Sequence, residues 1–338
     1  MTVVDRPLAT AVRHLGAELR FWSGYARYPV AVDERILTER AVALVPPMSS
    51  AISRNGSCRL FATRDGWVAV NLPRAEDRDM VSALLGEEGE GDVWERLAAA
   101  LPKRSAGAIS EQATVLGLAV GVLGEATQSV AAVVPARTGR ALAWRSVPRV
   151  VDLSTLWAGP LCGALLAEAG CEVILVESLR RPDRMAEALP AFRARLHGAK
   201  RIVKLDLSSD TGREVLASLV RDADVVITAA RPRGLAGIGL PPTLGQDLIH
   251  VAVTAHGFFG PGADRIGFGD DCAVSGGLVD TDHRGVPTFV ADAVADPLTG
   301  ACATVRALRA LALGECGTYD VSLAATAAGV ARLRRGEA

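Results

Sequence analysis

The turn Trp157-Ala158-Gly159-Pro160-Leu161-Cys162-Gly163 sits between an apolar, β-branched run and a helix of small residues. In a parallel α/β sheet, that place presents helix N–H groups to an anionic ligand. A nicotinamide dinucleotide is the default ligand. The turn departs from GxGxxG, however, and sets Pro160 where an N–H donor is wanted, which argues against one. Glu177 ends the next apolar run, as a ribose-binding acid would, but stands alone in that respect. Further on, Asp270-Asp271 reads as local loop hydrogen bonding. Asp296 followed by Pro297 reads as the N-cap and first residue of a helix running to Leu313. His250 falls inside an apolar run and reads as a satisfied sheet residue, while His256, in the loop after it, could line a pocket. Cys58, Cys162, Cys171, Cys272, Cys302 and Cys316 are scattered without CxxC spacing. Neither a disulfide framework nor a zinc site is expected, and the six read as reduced core thiols of a cytoplasmic protein.

The elements that must position these groups are legible around the turn. Val150 to Leu153 and Cys171 to Glu177 are short β-branched runs of buried strands. Between them Gly159-Pro160 opens a helix and Gly170 suits its C-terminus. Strand, helix, strand over so few residues is a right-handed βαβ unit. The alternation continues with a helix over Arg184 to His197 interrupted by Pro190, and a strand over Arg201 to Leu207. A helix then starts at the caps Ser208-Ser209-Asp210, and strands follow at Asp224 to Thr228 and Leu248 to Val253. Five strands with intervening helices predict an α/β fold with a doubly wound, mostly parallel, Rossmann-like sheet. Upstream, helical spacing covers Ala9 to Trp22 and Asp33 to Leu44. Arg64-Asp65-Gly66 joins two strands into a hairpin, Cys58 to Ala62 and Trp67 to Leu72, followed by helices and the apolar run Gly117 to Val122. The organisation expected is a helical lead-in with a small α+β domain over 1–124, a linker over 125–147, and the Rossmann-like domain over 148–338.

Composition narrows the classes. A chain of 338 residues with net charge −1 offers no global field for nucleic acid or an anionic membrane. No apolar run approaches the roughly 18 residues of a membrane span, and no signal peptide is read at the N-terminus.

The motifs of the second half resemble class III CoA-transferases, a family that includes formyl-CoA:oxalate and carnitine CoA-transferases and α-methylacyl-CoA racemase. The likeness rests on Val151-Asp152-Leu153-Ser154…Trp157-Ala158-Gly159-Pro160, Ala169-Gly170-Cys171-Glu172-Val173-Ile174-Leu175-Val176-Glu177 and Lys200-Arg201…Leu205-Asp206-Leu207. It continues in Ala223-Asp224-Val225-Val226-Ile227…Arg231-Pro232, Gly257-Phe258…Gly260-Pro261…Asp264-Arg265, Ala295-Asp296-Pro297-Leu298-Thr299-Gly300 and Tyr319-Asp320-Val321-Ser322-Leu323. In the first half, Asn55-Gly56-Ser57, Asp65-Gly66-Trp67-Val68-Ala69-Val70-Asn71 and Leu116-Gly117-Leu118-Ala119-Val120 resemble the family's glycine loop and small domain. In the family those segments follow the Asp-Val-Ser-Leu element; here they precede the sheet, as in a circularly permuted and shortened chain.

The resemblance implies an acyl-CoA:carboxylate CoA-transferase with an aspartate nucleophile, which passes through a mixed anhydride and then an aspartyl-CoA thioester. Asp296 matches the family's aspartate and Asp292 is the fallback. Helix N-terminal N–H groups are expected to keep such a carboxylate ionised. The turn Thr155, Leu156, Trp157 and Ala158 maps to the nucleotide end of the CoA site, with Trp157 either covering a flat group or packing under the helix. Arg180-Arg181, Lys200, Arg201, Arg231, Arg233 and Arg265 are the phosphate candidates, placed at strand ends. CoA enters as substrate, and no tightly bound cofactor or metal is expected. The racemase's histidine falls opposite Gly267 or Phe268, and none of His14, His197, His250, His256 and His283 occupies that place. A CoA-thioester racemase or isomerase working through Asp270 or Asp271 is the second reading. A catalytically degenerate CoA-binding partner subunit, suggested by the reduced glycine loop, is the third. Family membership also implies a homodimer.

Overall fold

The computed structural model describes residues 6–40, 51–126, 147–183, 185–241, 244 and 248–337. The chain opens with α1 (Arg6–Ser23), whose Leu8, Val12 and Leu19 form one buried stripe. The helix expected over Asp33 to Leu44 is instead a single 3-10 turn, Glu34–Leu37, capped by Asp33 through the Arg35 N–H; residues 41–50 lie outside the described residues. β1 (Cys58–Ala62) and β2 (Trp67–Asn71) make the expected antiparallel hairpin, with Cys58 opposite Asn71. The chain then passes through α2 (Ala75–Asp79), α3 (Val81–Leu85), α4 (Val93–Ala100) and α5 (Ala106–Leu116). Asp92 ends the acidic loop by capping α4 through the Trp94 and Glu95 N–H groups. β3 (Ala119–Val122) returns antiparallel to β2. Val70, Leu72, Leu84, Leu97 and Ile109 fill a core of this unit's own. Of the expected linker, residues 127–146 lie outside the described residues.

The second unit alternates throughout. Its strands and helices run β4 (Arg149–Leu153), α6 (Ala158–Glu168), β5 (Glu172–Ser178), α7 (Met185–Ala188), α8 (Pro190–His197), β6 (Arg201–Leu205) and α9 (Asp210–Arg221). Then follow β7 (Val225–Thr228), α10 (Pro232–Gly237), β8 (Ile249–Thr254), α11 (Gly269–Ser275), the hairpin β9 (Val279–Thr281) and β10 (Pro287–Phe289), α12 (Ala295–Leu313), β11 (Gly317–Ser322) and α13 (Leu323–Arg335). Pro190 interrupts the helix as expected: α7 ends at Ala188, Leu189 leaves helical geometry (φ −139°, ψ 64°), and α8 restarts with Pro190 at its first position, where its missing N–H is harmless. The sheet has six strands in the order β11-β8-β7-β4-β5-β6, every pair parallel. This is the expected α/β doubly wound sheet, with one strand more than the sequence showed. Val150, Val225 and Ile227 point into a core shared with α1, α6 and α12, while Val151, Val226 and Ile174 point into a second core with α9. That alternation buries both faces.

Two close approaches set the site. The strand order reverses between β4 and β7, opening a crevice at their carboxyl ends. Next to it α12 lies against α6 so closely that a Cβ on Gly300 would stand 2.7 Å from the Ala158 carbonyl oxygen. On the other side β3 packs on α11: a Cβ on Gly121 would collide with the Asp271 carbonyl, so only glycine fits. Asn71 Nδ2 adds a hydrogen bond to Asp271 Oδ1 at 2.8 Å, which carries the small unit to the edge of the crevice.

Candidate active site

A cleft of about 440 Å³ opens at the carboxyl ends of β4, β7 and β8. Thr155, Leu156 and Ala158 line it after β4, Ala229 to Arg231 after β7, and Gly267 and Phe268 ahead of α11, with Asp296 among them. Asp296 is not the cap of its own helix, as its pairing with Pro297 suggested. α12 begins two residues before Pro297, at Ala295, from a Val294 that offers no side-chain cap. The Asp296 carboxylate is therefore free of its own helix end. It faces instead the backbone N–H groups of Ala158 and Gly269, the first residues of α6 and α11, which favour its charge. Two foreign helix N-termini thus converge on one carboxylate. A Cβ on Gly269 would collide with Asp296 Oδ2, so that approach needs glycine. Burial outweighs these donors and pushes the carboxyl up to about 6; Arg40 pulls it down, and Asp292 adds to the rise. Ionisation by helix N–H groups alone, expected from the sequence, is overtaken by desolvation.

Around Asp296 lies a set of buried groups. Asp292, the fallback nucleophile, is held in a two-pronged ion pair: Arg40 Nε donates to Oδ2 at 2.9 Å and Nη2 to Oδ1 at 2.5 Å. The face of the same guanidinium lies over the Trp157 ring, 4.9 Å from its centroid. Asp292 is not among the residues lining the cleft, so the cleft presents Asp296. Asp270 accepts the Ala293 N–H at 2.9 Å, and Asp271 accepts from Asn71 and from the Phe268 N–H. The local loop hydrogen bonding expected of this pair is not what is found: both lie in the first turn of α11 and reach Ala293 and Asn71, with only the Phe268 N–H local. Both are buried, so that desolvation raises each to about 7. Leu156 (φ 70) and Ala293 (φ 44) are the non-glycine residues in the left-handed region among those described, and both adjoin the site. Backbone strain of this kind, about 1–3 kcal/mol each, persists where the surroundings enforce it. His250 bridges Thr228 and Thr318, a satisfied sheet residue. His256 is not in the cleft lining; it brings a ring nitrogen within 4.8 Å of Asp271 and Cys272, with Arg265 beside them to oppose a cation.

The residues expected to hold CoA divide. Thr155, Leu156, Ala158, Arg231, Arg233 and Arg265 line the cleft, together with Arg181. Arg231 Nη1 donates to the Asp264 carbonyl at 3.0 Å, and burial together with Arg233 lowers its proton affinity. Arg265 ties Val120 O (2.9 Å) and Glu125 (2.7 Å), joining the two units. Trp157 is fully buried, packs under the helix edge-on to Phe192, and is not among the residues lining the cleft. Arg180 pairs with Asp206 at the surface and is not in the lining; its neighbour Arg181 is. Lys200 is a correction. Its ammonium, 0% exposed, is surrounded by Asp152 Oδ2 at 2.7 Å, the Pro160 carbonyl at 2.8 Å and His197 Nδ1 at 3.3 Å, leaving no N–H for a phosphate. Arg201 is another, because it opens β6 and so lies at the amino end of the sheet, opposite the cleft. Asn55-Gly56-Ser57 is likewise absent from the lining. Sequence reading missed Arg40. Its partner Asp292 is 252 residues away, and no local pattern announces the pair.

Comparison with known proteins bears on the family of the sheet unit. The pattern of CoA-transferase family III matches residues 148–333, more than half of the chain and the whole parallel sheet. The chain is 32% identical over 176 residues to succinyl-CoA–D-citramalate CoA-transferase of Chloroflexus aurantiacus, covering 48% of this chain and 44% of the relative. It is 32% identical over 200 residues to succinate–glutarate CoA-transferase of Agrobacterium fabrum, covering 52% and 50%. A crystal structure of a hypothetical protein from Mycobacterium tuberculosis superposes with a TM-score of 0.48 at 25% identity, over 56% of this chain and 57% of that one. The chain thus spans about half the length of the curated relatives it matches. With its six-stranded parallel sheet and the ordered motifs from Val151 to Leu323, the chain belongs to CoA-transferase family III.

Proposed function

We propose that this protein moves CoA from an acyl-CoA to a second carboxylic acid, with Asp296 as the nucleophile. The observation that carries this reading is one buried carboxylate in the cleft, faced by the backbone N–H groups of Ala158 and Gly269. The Asp296 carboxylate attacks the thioester carbonyl; the C–S bond breaks, CoA leaves as thiolate, and a mixed anhydride remains. The thiolate then attacks the aspartyl carbonyl and expels the donor acid, which leaves an aspartyl-CoA thioester. The acceptor acid repeats the two steps in reverse, and the aspartate is restored with no net redox change. Each attack on the aspartyl carbonyl places negative charge on its oxygen, where the two N–H groups can hold it. Arg181, Arg231 and Arg233 at the mouth supply positive charge for the CoA phosphates.

Both curated relatives named above carry succinyl-CoA or succinate in their names, so succinyl-CoA is the first donor to try. The protein is incubated with a panel of acyl-CoAs, quenched with hydroxylamine, and mapped by mass spectrometry. The expected result is a hydroxamate on the Asp296 peptide, lost in Asp296→Asn. Exchange of the α-proton without a trapped peptide would instead favour the racemase or isomerase reading, and CoA binding with neither outcome the partner-subunit reading. Neither Asp270 nor Asp271 lines the cleft, so no observation favours proton transfer over CoA transfer. A homodimer goes with the transferase reading and is checked by sedimentation velocity.

A further inference from the structure

Arg40 lies outside the matched family pattern, yet it touches both elements that frame Asp296. Its edge grips Asp292, four residues before Asp296, and its face covers Trp157, the residue before Ala158. Side-chain exposure is 12% for Arg40 and 1% for Asp292, so the pair works largely out of water. Removing one partner of such a pair leaves an uncompensated buried charge. The corner from Asp292 to Asp296 is tightly determined beyond that grip. Ala293, in the left-handed region, gives its N–H to Asp270 and takes the Asp296 N–H on its carbonyl at 2.8 Å. The charged and titratable groups around Asp296 are Asp292 on its own corner, Asp270, Asp271 and Cys272 on α11, Arg40, and, beside Asp271 and Cys272, His256 and Arg265; the first turn of α6 carries none. Of the two arginines, Arg40 is the one that pairs with Asp292 and acts on Asp296.

We propose that Arg40 is a positioning residue for Asp296: it ties the start of α6 to the corner before α12 and supplies the buried positive charge paired with Asp292. The inference rests on reading Asp296 as the reacting carboxylate. A guanidinium can fork to a carboxylate and stack on an indole together, while an ammonium retains only the charge. Arg40→Lys and Arg40→Gln therefore separate the two roles.

The test uses full-length protein labelled with carboxyl-¹³C aspartate, titrated by NMR, with Asp296→Asn identifying the Asp296 signal. In parallel, the rate of hydroxylamine-trapped Asp296 from succinyl-CoA is followed against pH. In Arg40→Gln the Asp296 midpoint should rise by about one pH unit or more, and the pH of half-maximal trapping should rise with it. In Arg40→Lys the midpoint should stay near the parent's while trapping slows by about tenfold or more, the scale of a slightly misplaced reacting group. An unchanged midpoint in folded Arg40→Gln overturns the proposal, as does parent-rate trapping in Arg40→Lys. If Arg40→Gln does not fold, Arg40→Lys decides alone. If the parent forms no adduct at any pH, the transferase reading fails, and the titration still decides whether Arg40 governs Asp296.

Discussion

At the scale of single residues, what sets Asp296 apart is the balance of forces on it. Two backbone donors and one arginine favour its charge, while burial and Asp292 oppose it, and the sum leaves its carboxyl near 6 rather than near 4. A nucleophile must be ionised, and below its midpoint the ionised fraction falls about tenfold per pH unit. The trapping rate should therefore climb from pH 5 and level off above about 7, with a half-maximal point near 6. A profile flat down to pH 4.5 would show that burial does not govern this acid. Lys200 teaches the opposite lesson, since a basic residue beside a strand looked like a phosphate ligand and is a buried counter-ion of Asp152. Removing its charge alone should cost about 3–5 kcal/mol of stability. Lys200→Met should accordingly lower the urea midpoint sharply and leave the CoA affinity of the folded fraction where it was, as calorimetric titration would show. A weaker CoA affinity at parent stability would restore Lys200 to the phosphate site.

At the scale of elements, the proposed chemistry depends on three helix starts meeting: α6 and α11 offer N–H groups, and α12 offers the acid. Small residues permit the meeting. A methyl on Gly300 would sit 2.7 Å from the Ala158 oxygen and 3.0 Å from Leu161 Cβ, so Gly300→Ala must push α6 from α12 by a few tenths of an ångström or more. Since misplacement by about 1 Å can cost about a hundredfold in rate, Gly300→Ala should slow trapping by tenfold to a hundredfold. Its circular dichroism should remain that of the parent, and equal rates would show that the α6 donor is dispensable. The strands around these helices were legible in sequence because Val150-Val151, Val173 to Val176 and Val225 to Ile227 are buried on both faces, where nothing but apolar β-branched chains fits. β11 escaped because its buried run, Gly317 to Ser322, carries Thr318, Asp320 and Ser322. Asp320 is hydrogen-bonded in place by the Thr254 hydroxyl and the Phe258 N–H, partners no pattern reveals. The start of α12 was misread for a related reason: Asp before Pro is a capping signature, and only the surrounding helices show that the carboxylate is used elsewhere.

At the scale of the molecule, two cores meet at α11. The small unit packs Val70, Leu84 and Leu97 about its own centre, and the sheet unit packs Leu161, Leu298 and Leu308 about another. Between them run an apolar cluster of Cys58, Leu60 and Ala69 against Val274 and Phe289, and specific ties: β3 against α11 at Gly121, Asn71 to Asp271, and Arg265 to Glu125 and to the Val120 carbonyl. α11 is also the helix whose first N–H faces Asp296, so the seam between the units is part of the site. Gly121→Val tests that arrangement, because a branched side chain there must strike the α11 backbone and cannot be absorbed by a rotamer. Each unit keeps its own core, so the expected outcome is separation rather than collapse. Scanning calorimetry of Gly121→Val should resolve two transitions where the parent gives one. CoA should raise the sheet unit's transition alone, since a ligand stabilises the state that binds it by about 2.7 kcal/mol at a hundredfold excess over Kd. A single transition, raised by CoA as in the parent, would mean that the two cores unfold together through contacts other than this seam.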